Sequence, residues 1–233
     1  MKPTPAIDKL IAPLFRNTED KPVAYIIDIE LIDAPLSIHR KLSIPSNINL
    51  GYVQEILMLA MGWRGYHLKE IHYGNVTYTT RYAGGQNPEP IEGYLQKDSF
   101  KYAIGEILKE EGDSFLFIYD LGDDWKHRVV LSRIQPYTTH QIESEDYWVQ
   151  ILCGEASCPP EDAGGVLGYK EILRIINTPS DEEYEDTLTW LGEGFDPYNF
   201  DRRLTVHKPE STTLCAPSAK PDGDSIENNP LHY

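Results

Sequence analysis

Residues 115–134 read FLFIYDLGDDWKHRVVLSRI, and this stretch decides the fold class. Segments 115–119 and 128–134 are rich in β-branched and aromatic residues, which favour strands. The polar segment between them, 120–127, contains Asp and Gly residues, which are typical of turns. The stretch therefore predicts an antiparallel hairpin with an acidic end.

Two further hairpins are predicted upstream, over residues 23–44 and 67–82. In each of them, two strand-forming segments flank a few turn residues. Between the hairpins, residues 53–61 carry apolar side chains at every third or fourth position, which is the spacing of a buried helical face. We expect Ser46 or Asn47 to cap this helix.

The second half of the chain predicts two helices after an irregular loop. Pro159 and Pro160 prevent regular structure within residues 153–165, CGEASCPPEDAGG. Residues 168–176 have a helical pattern, and Ser180 precedes an acidic helix start. Together with the hairpins, these patterns predict an α+β fold in which antiparallel β hairpins pack with several helices in a single domain.

The composition changes at both ends of the chain. Residues 1–20 contain a short amphipathic run and are expected to form an N-terminal helical extension. Residues 21–205 carry the periodic apolar pattern of the α+β domain. Residues 206–233 are rich in Pro, Ser, Thr, Asp and Asn, and a flexible, disordered tail is expected there.

The charge of the chain restricts its partners. Among 233 residues, 21 Lys and Arg face 37 Asp and Glu, which gives a net charge of −16. Such a field repels phosphate backbones, so a nucleic acid partner is disfavoured unless basic residues cluster locally, and a basic protein or small ligand is favoured. Three cysteines and the lack of a signal-like start favour the cytoplasm, and no apolar stretch is long enough for a membrane.

The acidic end of the 115–134 hairpin is the densest candidate site. It combines the carboxylates of Asp120, Asp123 and Asp124 with the indole of Trp125 and the imidazole of His127. Carboxylate and imidazole side chains together suit a divalent cation or proton transfer. The same residues also suit a purely structural turn, in which the Asp side chains accept backbone hydrogen bonds and Trp125 packs on the core.

A second candidate site lies in the Cys-Pro loop. Cys153 and Cys158 have four residues between them and resemble half of a zinc site, which His127 or His67 would complete. The metal-ligand candidates are therefore Asp123, His127, Cys153 and Cys158, and a divalent metal ion is the cofactor that they suggest. The alternative is that both thiols are buried and inert.

The chain lacks several common catalytic motifs. It has no G-x-x-x-x-G-K-[ST], no G-x-G-x-x-G after a strand, no H-E-x-x-H and no G-x-S-x-G. A non-catalytic binding module is therefore favoured, in which the loops around 120–127 and 153–162 form the recognition surface and Trp125 is an exposed or half-buried anchor. A metal-dependent hydrolase or nuclease-like enzyme is the alternative; its candidate residues are Asp120, Asp123, Asp124, His127 and Glu161.

Three segments resemble the plasmid pRiA4b ORF-3-like family. They are YDLGDDWKH (119–127), LCGEASCPPEDAGGVLGY (152–169) and TWLGEGFDPYNFD (189–201). The resemblance implies association with plasmids or mobile elements, where some members are labelled transposon resolvases, so a DNA-binding accessory is a further alternative. Neither the serine nor the tyrosine recombinase pattern is found in this chain, and the resolvase label is therefore not carried over.

The resemblance also implies a set of recurring polar residues. One departure is Lys69, which stands where the family block often has a second His. The matching positions in this chain are His67, Asp120, Asp123, Asp124, Trp125, His127, Cys153, Glu155, Cys158, Glu161 and Asp162. Apart from the two cysteines, these are the candidates for the binding surface.

Overall fold

One mixed β-sheet organises the protein. The computed structural model describes residues 23–80, 93, 95–138 and 149–200. The strands are β1 (Ala24–Leu31), β2 (His39–Pro45), β3 (Lys69–Tyr73), β4 (Val76–Thr79), β5 (Leu95–Asp98), β6 (Ser114–Tyr119), β7 (Trp125–Gln135) and β8 (Gln150–Glu155). They lie in the order β5-β4-β3-β6-β7-β1-β2-β8.

Four helices are described beside the sheet. They are α1 (Leu50–Met61), α2 (Ile104–Ile107), α3 (Gly165–Ile176) and α4 (Tyr184–Leu191), and Ser99–Lys101 forms a 3-10 turn. Within the described ranges, no helix has the length and apolar character needed to cross a membrane. The combination of one sheet with separate helices confirms the predicted α+β class. The expected N-terminal extension and C-terminal tail lie outside the described residues.

All three predicted hairpins are present and antiparallel. They are β1–β2, β3–β4 and β6–β7. Two edge strands were not expected. Strand β5 pairs in parallel with β4, and β8 pairs antiparallel with β2, where the sequence showed only a short apolar run.

Helix α1 fills one face of the sheet. Nine of its twelve residues are buried, and this burial accounts for the apolar spacing from which the helix was predicted. The carboxamide of Gln54 donates to the Tyr78 carbonyl oxygen at 2.9 Å and ties the helix to β4. The N-cap is Asn49 rather than Ser46 or Asn47. Its side chain accepts a hydrogen bond from the amide of Tyr52, three residues later, at 3.1 Å.

Helix α4 lies on the surface. None of its residues is buried. The helix packs against α3. Its exposed apolar residues therefore remain available at the edge of the domain.

The order of the strands brings the α1–β3, β6–β7 and β8–α3 connections together at one corner of the sheet. Strand β3 runs antiparallel to β6, with Lys69 paired to Tyr119, so the chain entering β3 meets the chain leaving β6. The Asp120 amide donates to the Leu68 carbonyl oxygen at 2.8 Å across this junction. The loop between β8 and α3 covers the same corner. His67, Asp120, Glu161 and Asp162 all come from these three connections.

Candidate functional site

One imidazole lies among three carboxylates at this corner, and we call the group the His67 cluster (His67, Asp120, Glu161 and Asp162). His67 Nδ1 lies 3.4 Å from Asp120 Oδ2. His67 Nε2 lies 3.3 Å from Asp162 Oδ1 and 3.7 Å from Glu161 Oε2. Each ring nitrogen thus lies within 3.4 Å of a carboxylate oxygen.

Asp120 holds its position through its own turn. Its backbone has a φ of 56°, a left-handed conformation that Asp tolerates better than most residues. Its Oδ1 accepts from the Gly122 amide at 2.9 Å and from the Asp123 amide at 3.3 Å. Because these bonds engage Oδ1, Oδ2 remains directed at His67.

Glu161 is fixed from the opposite side. Its Oε1 accepts from the Arg64 amide at 2.7 Å, and both of its oxygens lie 3.0 Å from the Tyr119 hydroxyl. Burial and the Glu161 carboxylate raise the pKa of Tyr119, so the phenol stays protonated and acts as donor. The Tyr119 ring stacks on Trp63 with centroids 4.6 Å apart.

The loop after β8 is attached to the core at two points. The Trp63 indole donates to the Pro159 carbonyl oxygen at 3.0 Å. Asp123 Oδ2 accepts from the Gly164 amide at 3.0 Å. Asp123 thus joins the β6–β7 turn to the start of α3. Asp124, by contrast, faces outward and pairs with Lys126 at 2.6 Å.

Trp125 belongs to the core, and the expectation of an exposed or half-buried anchor is wrong. Strand β7 begins at this residue, and its odd-numbered positions through Leu131 point inward. Trp125 is accordingly only 1% exposed. His127 lies on the same face, fully buried, with Nδ1 3.1 Å from the Phe117 carbonyl oxygen. Burial lowers the pKa of His127 to about 4, so this imidazole is neutral at pH 7.

The two cysteines and Glu155 are not members of the His67 cluster. Cys158 is buried, and burial raises the pKa of its thiol, so it remains protonated. Cys153 is paired with Lys41 across β8 and β2. Glu155 Oε2 lies 3.3 Å from His39 Nδ1 at the sheet edge.

One combination of metal-ligating side chains converges among the described residues. His67, Asp120 and Asp162 each offer a ligand atom within 4.8 Å of the others. The sequence-derived set of Asp123, His127, Cys153 and Cys158 forms no such group in the described part of the chain. His127 and Cys158 are in the core, and the hydrogen bond of Asp123 to Gly164 occupies one of its oxygens.

A cleft opens beside the His67 cluster. It has a volume of about 480 Å³ and lies between the α1–β3 connection, the loop after β8 and the segment after α4. Glu161 and Asp162 form one edge. Tyr66 and Trp190 also line the cleft, and their exposed fractions are 69% and 51%.

Arg40 also lines the cleft. Its guanidinium donates to the carbonyl oxygens of Ala60 at 3.0 Å and Glu155 at 2.8 Å. It also lies 4.2 Å from the centroid of the Phe200 ring. Because Arg40 is buried and its donors are bonded to the main chain, its role here is to hold the cleft together.

Sequence reasoning missed Arg40, Tyr66 and Trp190. Arg40 lies in a segment predicted as a strand, and Trp190 is one of several apolar residues in a predicted helix. A usable signal was that Tyr66 directly precedes the candidate residue His67 in an irregular segment. Burial of Arg40 and exposure of Trp190 depend on which surfaces meet, which a local pattern does not encode.

Comparison with known proteins shows similarity to a protein family, to a bacterial relative and to a solved structure. The family model described as plasmid pRiA4b ORF-3-like protein matches residues 23–204. An uncharacterized protein, y4hQ, of Sinorhizobium fredii (strain NBRC 101917 / NGR234) is 30% identical over 154 residues, which are 66% of this chain and 73% of that protein. The crystal structure of a protein of unknown function, MM3350 from Methanosarcina mazei Go1, is similar with a TM-score of 0.68 and 25% identity, over 82% of this chain and 100% of that one.

Proposed function

The chain belongs to the plasmid pRiA4b ORF-3-like family, and from this membership and the geometry above we propose that it is a non-catalytic binding module whose cleft takes a basic segment of a protein partner. Association with plasmids or other mobile elements is part of the proposal and is supported by the name of the family. A cytoplasmic location is also part of it, supported by the unpaired thiol of Cys158.

The observation that carries the proposal is the pairing of exposed aromatic rings with carboxylates in one cleft. Tyr66 and Trp190 present ring surface, while Glu161 and Asp162 present negative charge along the edge. Aromatic faces attract Lys and Arg side chains through cation–π interactions, and the carboxylates supply a partner for the same cations. A basic segment satisfies both features at once.

The charges around the cleft support a basic occupant. Arg64 offers one exposed cation at the wall, against the two carboxylates of Glu161 and Asp162. The guanidinium of Arg40 is bonded to the main chain and buried. With a net charge of −16, the protein attracts basic partners over long range and repels polyphosphates.

The chemistry of the nearby groups supports binding over catalysis. Cys158 and Tyr119 both have raised pKa values and remain protonated, so neither is an activated nucleophile. In the alternative hydrolase set, His127 is in the core, and Asp123 and Asp124 are bonded to Gly164 and Lys126. That set therefore receives less support than the cleft.

The test uses two fluorescently labelled nine-residue peptides, one rich in Lys and Arg and one of matched length rich in Asp and Glu. Fluorescence polarisation should show binding of the basic peptide alone. Trp190→Ala and Tyr66→Ala should each weaken its affinity about 2- to 30-fold, because one cation–π contact contributes about 0.5–2 kcal/mol.

Leu167→Ala is the matched control, because Leu167 is an exposed apolar residue on α3 that does not line the cleft. It should leave the affinity unchanged. The proposal is overturned if neither peptide binds, if both bind equally, or if the two aromatic substitutions behave like Leu167→Ala.

A further inference from the structure

We propose that the His67 cluster binds one divalent metal ion through His67 Nε2, Glu161 Oε2 and Asp162 Oδ1. In this arrangement Asp120 is not a ligand but accepts from the Nδ1–H of His67. The site differs from the ligands suggested by the sequence. It also does not depend on the proposed peptide cleft, although Glu161 and Asp162 border both.

The histidine carries the first step of the argument. A neutral imidazole has one N–H, yet both ring nitrogens of His67 face carboxylate oxygens. One nitrogen therefore donates its N–H, and the other meets its carboxylates through a second proton or through a metal cation. Nε2 is buried and has no hydrogen-bond partner in the described part of the chain. It is therefore the nitrogen whose lone pair is open to a metal ion.

Asp120 determines which nitrogen is free. Its Oδ2 lies 3.4 Å from Nδ1, and its Oδ1 is already bonded to two backbone amides. A carboxylate in this position favours the Nδ1–H form and leaves the Nε2 lone pair for a metal. Metal-binding histidines commonly have such a carboxylate behind them, which orients the ring and raises its basicity.

The two distances from His67 to the other proposed ligands are close to those around a single ion. Ligands bonded to one tetrahedral zinc at about 2.0–2.1 Å lie roughly 3.3–3.4 Å from each other. His67 Nε2 lies 3.3 Å from Asp162 Oδ1 and 3.7 Å from Glu161 Oε2, which are both close to this separation. Asp162 is also 74% exposed at its side chain, which gives an ion access from solvent.

The ligand types indicate the class of metal. One imidazole with two carboxylates suits Zn²⁺ or Mn²⁺, whereas Mg²⁺ and Ca²⁺ prefer oxygen ligands alone. Glu161 is held by the Arg64 amide and the Tyr119 hydroxyl, so that ligand is fixed before the ion arrives. Three protein ligands leave at least one coordination position open to water or to a bound ligand.

The test is isothermal titration of the full chain, stripped with EDTA, with Zn²⁺, Mn²⁺ and Mg²⁺ separately. Zn²⁺ or Mn²⁺ should bind, and His67→Gln should remove one equivalent. Asp162→Asn should weaken this equivalent at least tenfold, because Asn keeps the left-handed backbone of residue 162 and loses the charge. Mg²⁺ should bind at least tenfold more weakly than the better of the other two ions.

Asp124→Asn is the matched control. Asp124 is likewise an exposed aspartate with a left-handed backbone in a neighbouring loop, but it lies outside the site. The Asp124→Asn variant should bind metal with the same affinity and stoichiometry as the original chain. Long-range ¹H–¹⁵N spectra give a second readout, in which the metal should shift His67 Nε2 far more than Nδ1.

The proposal is overturned if neither Zn²⁺ nor Mn²⁺ binds, if His67→Gln retains every equivalent, or if Asp124→Asn loses as much affinity as Asp162→Asn. Since no peptide is present, these results do not bear on the proposed function. Failure of the peptide experiment would likewise leave the metal site untouched.

Discussion

His127 is the clearest case of a side chain whose surroundings control its chemistry. It is fully buried beside Trp63 and Phe117, with ring centroids 5.1 and 5.3 Å away. Burial in this aromatic setting disfavours the imidazolium and lowers the pKa to about 4. The residue looked like a metal ligand or proton carrier in the sequence, and in the structure it is a neutral core residue.

The buried imidazole predicts a pH dependence of stability. Between pH 6.5 and 4 the unfolded chain binds a proton at His127 that the folded chain does not, so acidification lowers the free energy of unfolding. The loss is about 1.4 kcal/mol per pH unit, or about 3 kcal/mol over the window, and it is absent above pH 6.5. Urea unfolding at several pH values measures it.

His127→Leu is the comparison that isolates this effect. It should flatten the decline in stability between pH 6.5 and 4, whatever its effect at pH 7. Parallel stability curves for the two proteins would contradict the assignment of a neutral buried imidazole.

At the scale of elements, the site depends on how the β6–β7 turn meets the start of α3. Asp123 bonds to the Gly164 amide, and Gly165 lies against the backbone of Asp123. A Cβ added at Gly165 would lie 2.7 Å from the Asp123 carbonyl oxygen. This close approach requires glycine and aligns the loop that carries Glu161 and Asp162.

Two glycine substitutions separate the contact from backbone strain. Gly165 and Gly112 both have positive φ, +68° and +99°, but a Cβ at Gly112 meets no atom within 4 Å. Gly112→Ala should lower the free energy of unfolding by about 1–2 kcal/mol. Gly165→Ala should cost about 1–3 kcal/mol more, because the loops must separate. Thermal or urea unfolding checks both, and equal losses would show that the close approach is unimportant.

At the scale of the whole molecule, the acidic charge couples the two proposed sites. A divalent cation at the His67 cluster would neutralise Glu161 and Asp162, which also border the cleft. The affinity for a basic peptide should therefore fall when metal binds, and by linkage the peptide should lower metal affinity by the same factor. The coupling is electrostatic and should weaken as salt is added.

Polarisation titrations with the basic peptide, with and without saturating Zn²⁺ or Mn²⁺ at constant ionic strength, measure this coupling. We expect the affinity to fall severalfold in the original chain and in Asp124→Asn, and to stay constant in His67→Gln. A metal-independent affinity in the original chain would show that the two sites do not interact.

Local patterns in the chain already specify most of its elements. Alternating residues identify the three hairpins, helical spacing identifies α1 and α3, and the acidic character of the surface follows from composition. These features depend on neighbours a few positions apart. Family motifs also identified His67, Asp120, Glu161 and Asp162 as important without indicating that they meet.

The tertiary structure alone decides which of those residues form a site. The β3–β6 pairing brings residue 67 to residue 120, and the loop after β8 adds residues 161 and 162 from far along the chain. The same packing buries Trp125 and His127 and leaves Trp190 exposed. Strand order and the covered face of the sheet arise from contacts between distant segments, and short-range periodicity carries no information about them.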